Sequence, residues 1–593
     1  MPTMSDSHVL FNYRLAEAMV GLGHEVTIWK SDAALVAFSK ARERAVPKGI
    51  KEEIAAEVHF DKRLRDVGDE LFGNVVWTTE TPKFSAMMSF FGNLSREMAR
   101  QQLELADQHI ARLREERFDL LGMGHWPAVV VAHSIPPLSV CHYFFHMPLF
   151  LAHLLEIENL VVVSAGIYMP DVYADVLGVP IVPSYIPHMQ RNGGDRMTFV
   201  ERLKNVAWNA MTNPAVITMP GGMYSKEEAE WRAPPDDDRP SPFALQPNVK
   251  AIFINGDRLL DFPRPLPYGV KYLGDFKKKK KSTAKEVPHK LSEKWEAIAS
   301  DESKKGIVVF SLGTVANTTR MPDYIRIAFV DAFALLTDYT IVWKFDVDIP
   351  EIQANPDNFK HVHVSSWTPQ RELLAHPRTR LFITHAGYNS LLEAAKAGVP
   401  ALYTPLFGDQ YPDAHRALRF GCGVMLDIKS ETINGDTIAA AVNQLIEDPK
   451  YAANSVRLAR LLNDQIISPE RELAANLVQM AKTPAKFLMP KEAQRLAQTT
   501  SVGLDLLSGG AVAAVMLQRA MSTAVKQTMV QLDNVRSQVE QLRIEASIQR
   551  KRVSEASKDL VEFCEREKAA DVLLSGISDS HNPFHDKKTC VLL

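Results

Sequence analysis

The run His385-Ala386-Gly387-Tyr388-Asn389-Ser390 holds more usable chemistry than any other part of the chain. The apolar residues Leu381 to Thr384 predict a strand feeding it. A helix opens behind it, carries Glu393 one turn in and stops at Gly398, before Pro400. A strand, a turn of small residues and a helix start together make a place for an anion. The first amides of a helix have no partner within it, and the aligned peptide dipoles favour negative charge there. His385 can donate to a diphosphate, Gly387 lets the backbone approach it, and Asn389 and Ser390 add side-chain donors. Glu393 can accept from two ribose hydroxyls, as acidic residues do in other nucleotide folds. A plainer reading exists, because Ser390-Leu391-Leu392-Glu393 also spells a capping box.

These groups need sheets behind them. Helical and strand patterns alternate up to about residue 480, which predicts parallel sheets covered by helices. His8 to Leu22 reads as an amphipathic helix and Glu25 to Trp29 as the strand after it. A βαβ unit needs a strand before that helix, yet only Met1 to Ser7 precede it. Gly306 to Phe310 predicts a buried strand, with Ser311-Leu312-Gly313-Thr314 as a tight turn behind it. Lys277 to Lys281 reads as a solvated loop between domains, the alternative being a nuclear signal.

The length of 593 residues suggests about three or four domains. Hydrophobic content of 46% with 23% charged residues is ordinary for globular protein, and a net charge of -3 gives no reason to expect nucleic acid. The 4 cysteines lie far apart, without disulfide or metal spacing. Met1 to Ser7 has neither a basic start nor an apolar run, so no secretory signal is expected. Leu506 to Gln518, closed off by Asp505 and Arg519, falls short of the ~20 apolar residues of a spanning helix. On sequence alone the chain reads as soluble.

Trp367, Gln370, the His385 to Glu393 segment and Asp409-Gln410 resemble, in type and spacing, the signature of the UDP-glycosyltransferases, the animal-type family that moves a sugar from a UDP-sugar onto small lipophilic acceptors. The resemblance implies a GT-B fold of two facing Rossmann-like α/β domains, the first (1–282) binding acceptor and lacking its opening strand, the second (283–485) binding the donor. Ala251 to Asn255 and Leu259 to Pro265 resemble the end of the acceptor domain. Trp367 would stack on uracil and Gln370 meet its polar edge, although Trp367 also suits a core. Asp409 and Gln410 would hold sugar hydroxyls, and Ser311 and Gly313 add a phosphate contact. His8, after Ser7, would be the base that deprotonates the acceptor, the plain alternative being a helix-start histidine. Family enzymes often orient this base with an acid shortly after a Phe-Asp pair. Here Phe118-Asp119 leads to Gly124-His125, with no carboxylate, and Ala128 to Met147 reads as an insertion. No Asp-x-Asp pair for a divalent ion stands out, so no metal or cofactor beyond the donor is expected, the helix and His385 neutralising the diphosphate. Phe84 to Phe91 suits either an acceptor pocket or core. The sequons at Asn93 and Asn317 mean nothing outside the secretory pathway.

Beyond Met529 the pattern changes. Leu532, Val535, Val539, Leu542 and Ala546 form a short heptad seam, and Ser554 to Lys568 a second helix. Asn582-Pro583-Phe584 and a terminal Cys590-Val591-Leu592-Leu593 follow, the last fitting geranylgeranyl transfer to Cys590. Residues 529–593 resemble a heterotrimeric G-protein gamma subunit, with 486–528 as linker. The resemblance implies a beta propeller subunit as partner of the seam and of Phe584, and a lipid anchor on the cytoplasmic face of a membrane, whereas relatives of the transferase half are endoplasmic-reticulum membrane proteins. The alternatives are an unrelated coiled coil, a signalling subunit with a silent transferase half, or two neighbouring genes read as one.

Overall fold

Val308, Val309 and Phe310 are all buried, so their strand is covered on both faces, as strands of a parallel sheet between helical layers are. The computed structural model describes residues 6–32, 46–57, 73–78, 120–124, 128–133, 138–141, 153–155, 160–164, 182–188, 191–211, 249–264, 268–274, 291–314, 316–483 and 553–569, with single positions and pairs between them. They fall into two units, Met1–Leu504 and Asp505–Leu593.

The first unit carries two sheets. The N-terminal sheet is built from β1 (Glu25–Asp32), β2 (Ile50–Glu57), β3 (Leu120–Gly124), β4 (Ala128–His133), β5 (Leu138–Cys141), β6 (Leu160–Ser164), β7 (Val249–Ile254) and β8 (Val270–Tyr272), in the order β2-β1-β4-β3-β5-β6-β7-β8. Helix α1 (Asp6–Gly21) precedes β1, and α2 (Phe199–Met211) falls between β6 and β7 in the chain. Phe11, Leu15, Ala16 and Met19 bury one side of α1. Its start at Asp6 leaves 1–5 outside the described residues, and no strand precedes it among them.

Strand β4 departs from the expected all-parallel pattern. It comes from the segment that reads as an insertion, and it runs antiparallel to both its neighbours. Val130 lies opposite Ile28 of β1 on one side and Gly122 of β3 on the other. An open edge of β1 inside the sheet would leave backbone N–H and C=O groups unpaired, and the β3–β4 hairpin closes that edge. Gly124, next to the position where an orienting acid is expected, pairs with Ala128 of β4; His125 lies outside the described residues.

The second sheet is parallel throughout, in the order β11-β10-β9-β12-β13-β14, with β9 (Ile307–Ser311), β10 (Thr340–Lys344), β11 (Val362–Ser365), β12 (Thr379–Thr384), β13 (Ala401–Tyr403) and β14 (Gly423–Met425). Its helices are α3 (Glu293–Ala299), α4 (Asp323–Leu335), α5 (Pro350–Ala354), α6 (Gln370–Ala375), α7 (Tyr388–Ala397), α8 (Gln410–Leu418), α9 (Gly435–Glu447), α10 (Pro449–Asn463) and α11 (Pro469–Lys482). An aromatic stack fixes α4 on the sheet. Phe310 lies 5.2 Å from Trp343 and 4.3 Å from Phe329, and Phe333 meets Trp343 edge-on at 5.2 Å. Because the strands are parallel, the loops after β9, β10 and β12 emerge on one edge, where ligands of such sheets bind.

In the second unit, α12 (Val553–Glu567) matches the predicted helix and buries none of its residues, leaving Leu560, Val561 and Phe563 exposed. Phe84 to Phe91, Lys277 to Lys281, the 486–528 segment, Leu532, Val535, Val539, Leu542, Ala546, Asn582, Pro583, Phe584 and Cys590 lie outside the described residues. Among the described residues no helix is long and apolar enough to cross a membrane.

Candidate functional site

The loop from β12 to α7 is built around an unusual backbone. Ala386 has φ 65°, the only positive φ of a non-glycine residue among the described residues, and such a conformation costs about 1 kcal/mol or more in an alanine. Gly387 follows as the N-cap, and α7 opens at Tyr388, ahead of Ser390. Glycine has no side chain with which to cap, and no side-chain cap bond forms. The capping-box reading of Ser390 and Glu393 is thereby overturned, since Ser390 is already inside the helix. Its hydroxyl instead takes a bond from Gln370 Nε2 at 3.3 Å. The leading amides of α7 are left for an external acceptor.

His385 is wedged between two glycines. A Cβ on Gly313 would lie 2.6 Å from its Cε1 and 2.7 Å from its Nε2, and a Cβ on Gly387 would strike Nε2. Gly313 also sits at φ 78°. The turn that holds it is braced from below: the Gly313 N–H donates to Ser311 Oγ at 3.3 Å, and Lys344 Nζ donates to the Gly313 carbonyl at 2.9 Å. Burial, and then the nearby Lys344 charge, push the His385 pKa down to about 4, against a smaller opposing pull from the Ser311 backbone. His385 is thus a neutral imidazole at neutral pH, able to donate one N–H.

The remaining donor-site candidates gather on the same edge. Trp367 is 45% exposed, which removes the core alternative. Gln370, the first residue of α6, donates through Nε2 to Glu393 Oε2 at 2.9 Å. Gln410 is buried and spends its Oε1 on the Leu406 and Phe407 amides at 2.8 and 3.2 Å. Those bonds shape the Pro405 loop. Asp409 is the N-cap of α8, and burial pushes its pKa up to about 6, ahead of weaker opposing pulls from its own backbone amide and Arg416. His8 lies in the first turn of α1, and its side chain is outside the described residues. Among the described residues no group of three or more His, Cys, Asp or Glu converges to hold a metal.

Several residues at the site escape a sequence reading. Asn255 of the N-terminal sheet domain donates to Asn389 Oδ1 at 2.9 Å, and the Asp257 N–H donates to Tyr388 Oη at 3.3 Å. Tyr388 presses on Gly256 so closely that a Cβ there would lie 2.5 Å from its Oη. These contacts join the start of α7 to the other domain across more than a hundred residues of chain, so no local pattern announces them. Lys344 is different. A lysine closing the apolar strand Thr340-Ile341-Val342-Trp343 is itself a visible signal, because a buried cation demands a partner.

Residues 2–479 match the profile of the family described as UDP-glucoronosyl and UDP-glucosyl transferase, and residues 531–593 match the G-gamma, GGL domain profile. The chain is 29% identical over 510 residues to UDP-glucuronosyltransferase ugt-60 of Caenorhabditis elegans, covering 86% of this chain and 94% of that one. It is 30% identical over 290 residues to human UDP-glucuronosyltransferase 1A3, covering 49% of this chain and 50% of that one. A UDP-glucosyltransferase from Polygonum tinctorium shares its fold with a TM-score of 0.52 at 13% identity, over 80% of this chain and 96% of that one. Two Rossmann-like sheets in this arrangement define a glycosyltransferase of the GT-B class. Within that class, the chain belongs to the UDP-glucuronosyl and UDP-glucosyl transferase family, and it carries a G-gamma domain at its C-terminal end.

Proposed function

We propose that the chain transfers a hexosyl or glucuronosyl group from a UDP-sugar to a small lipophilic acceptor with inversion. The carrying observation is the uncapped start of α7 beside a neutral, glycine-wedged His385. Uracil stacks on the exposed Trp367, and Glu393 exchanges its bond with Gln370 for the ribose hydroxyls. The diphosphate takes the free α7 amides and the His385 N–H. Asp409 and the Gln410 amide hold the sugar. His8 removes the proton from the acceptor hydroxyl, whose oxygen attacks the anomeric carbon opposite the leaving UDP; the bond from that carbon to the phosphate oxygen breaks with its electron pair. No metal is needed for this step, because the helix start disperses the charge on UDP.

The G-gamma domain adds a partner and a location to this reading. The fully exposed α12, with Leu560, Val561 and Phe563 in the open, supports docking on a G-protein beta subunit, alongside Leu532, Val535, Val539, Leu542 and the Asn582-Pro583-Phe584 segment. Geranylgeranyl on Cys590 would hold the chain at the cytoplasmic face of a membrane. A second reading is a beta-gamma signalling subunit with a silent transferase half, favoured by the β3–β4 pairing next to the position where an orienting acid belongs.

Calorimetry with UDP, followed by turnover of radiolabelled UDP-glucose and UDP-glucuronate, tests both. Binding with turnover supports the transferase; binding without turnover selects the silent half; no binding to folded protein removes the donor site altogether. His8→Ala is expected to lower turnover with UDP affinity unchanged, and equal turnover in parent and variant excludes His8 as the base.

A further inference from the structure

Helix α2 is amphipathic the wrong way round for a helix packed on a core. Its polar Asn205 is fully buried, while Phe199 (69%), Val200 (58%), Leu203 (59%) and Val206 (46%) are exposed. At 100° per residue, positions i, i+4 and i+7 share one face, so Phe199, Leu203 and Val206 make a continuous apolar stripe with Val200 beside it. This orientation is enforced. Asn205 Nδ2 donates to the Pro183 and Ile186 carbonyls at 2.9 and 2.7 Å, and its Oδ1 accepts from the His188 N–H at 2.7 Å. Trp208 on the same inward side stacks on His188, with ring centroids 6.0 Å apart. Rolling the stripe inward would break three hydrogen bonds of the buried Asn205 side chain, groups expensive to leave unpaired.

The charges around the stripe are equally placed. Arg202 and Lys204 flank it, both are exposed, and neither forms an ion pair among the described residues. The helix's single acid, Glu201, is folded back: its Oε2 accepts from both the N–H and the hydroxyl of Thr198 at 2.7 Å. That capping box fixes the helix start and leaves the solvent side with an apolar stripe between two cations. An apolar face with basic flanks matches a membrane interface carrying anionic lipid, whereas a protein groove would have to supply its own acids.

We propose that α2 is a membrane-surface helix, laying Phe199, Val200, Leu203 and Val206 among acyl chains while Arg202 and Lys204 meet anionic headgroups. The contact does not depend on the transferase reading. It also complements a C-terminal lipid, since one such chain gives only marginal hold and stable anchoring takes a second element.

The test uses the full chain carrying Cys590→Ser, so that no lipid contributes. With vesicles of phosphatidylcholine and phosphatidylserine, the protein is expected to co-sediment, and the double change Phe199→Asp, Leu203→Asp to reduce partitioning by about tenfold or more. Arg202→Glu with Lys204→Glu should abolish the preference over pure phosphatidylcholine vesicles. A Phe199→Trp reporter should shift its emission to the blue on adding vesicles, which supplies a readout if the aspartate pair misfolds. No sedimentation of the Cys590→Ser chain, equal sedimentation of the aspartate pair, or an unshifted reporter overturns the proposal. So does a dimer, seen by light scattering, that the aspartate pair dissolves, because the stripe then covers a second copy.

Discussion

At the scale of single residues, the donor site depends on two glycines and two shifted acid–base groups. Gly313 combines φ 78° with a Cβ position 2.6 Å from His385, so Gly313→Ala meets both backbone strain and a clash with a wedged ring. We expect it to weaken UDP binding by about tenfold or more, as one displaced donor in such a site is worth about 1.5–3 kcal/mol; an unchanged dissociation constant in calorimetry refutes the wedge. Asp409 carries the pH dependence. Its folded pKa of about 6 exceeds the ordinary value of 3.8 because burial disfavours the carboxylate. Its stabilising contribution is therefore full below pH 3.8 and lost as pH rises through 6. Measured by denaturant unfolding, the stability of the parent relative to Asp409→Asn should fall by about 2 kcal/mol across that window. The donor effect runs the other way. Only the ionised carboxylate accepts from two sugar hydroxyls, so the affinity advantage of UDP-glucose over UDP should shrink on going from about pH 7 to about pH 5, across the Asp409 titration. A constant advantage would take Asp409 off the sugar.

At the scale of elements, legibility follows how local each element's cause is. The β12–α7 unit was readable because strand, small-residue turn and helix start lie within one short stretch, and the donor candidates Trp367, Gln370, Asp409 and Gln410 fall beside it. Sequence misplaced only the helix start, since Ser390 and Glu393 imitate a cap while Gly387 takes that position. The N-terminal sheet was half readable. The run Ala128-Val129-Val130-Val131-Ala132 is apolar throughout, without the polar alternation of a half-solvated strand. It suits any buried strand, and nothing in it reveals a direction or a neighbour. Its antiparallel insertion between β1 and β3 depends on pairing across a hundred residues of chain. The placement is testable through Val130→Pro. A proline there removes an amide from a strand paired on both sides, costing ~3 kcal/mol or more. We expect the variant to open the N-terminal sheet to limited proteolysis while the 283–485 segment stays resistant; cleavage kinetics equal to the parent's would move β4 out of the sheet interior.

At the scale of the whole molecule, the two sheets of the first unit are joined by a buried ionic network that neither half reveals alone. Asp261 follows β7, and Arg416 sits on α8, 155 positions later. Arg416 Nε and Nη2 each lie 3.2 Å from Asp261 Oδ1, and its Nη1 donates to Asp413 Oδ1 at 2.6 Å. Tyr272 and Arg264 close on the same Asp261 carboxylate, at 2.6 and 3.1 Å, and Phe262 lies under the Arg416 guanidinium at 4.7 Å. Arg419 adds a bond to the Asp261 carbonyl at 2.8 Å. Because α8 begins at Asp409-Gln410, this joint couples the pair proposed to hold the sugar to the N-terminal sheet domain. The two acids facing Arg416 are not equivalent. Burial holds the Asp413 carboxyl well above its ordinary pKa, and its Oδ2 has no hydrogen-bond partner among the described residues. Asp413 is thus the acid that burial pushes toward its neutral form. Removing the Arg416 guanidinium strips its contacts from both acids in a dry joint and leaves Arg264 as the cation on Asp261, whereas replacing Asp413 by an amide leaves an acceptor for Arg416 in place. Arg416→Met should therefore cost about 3–5 kcal/mol of unfolding free energy, and Asp413→Asn less than about 1 kcal/mol. Comparable losses in denaturant titrations of the two variants would mean that Asp413 is ionised and shares the balancing of Arg416.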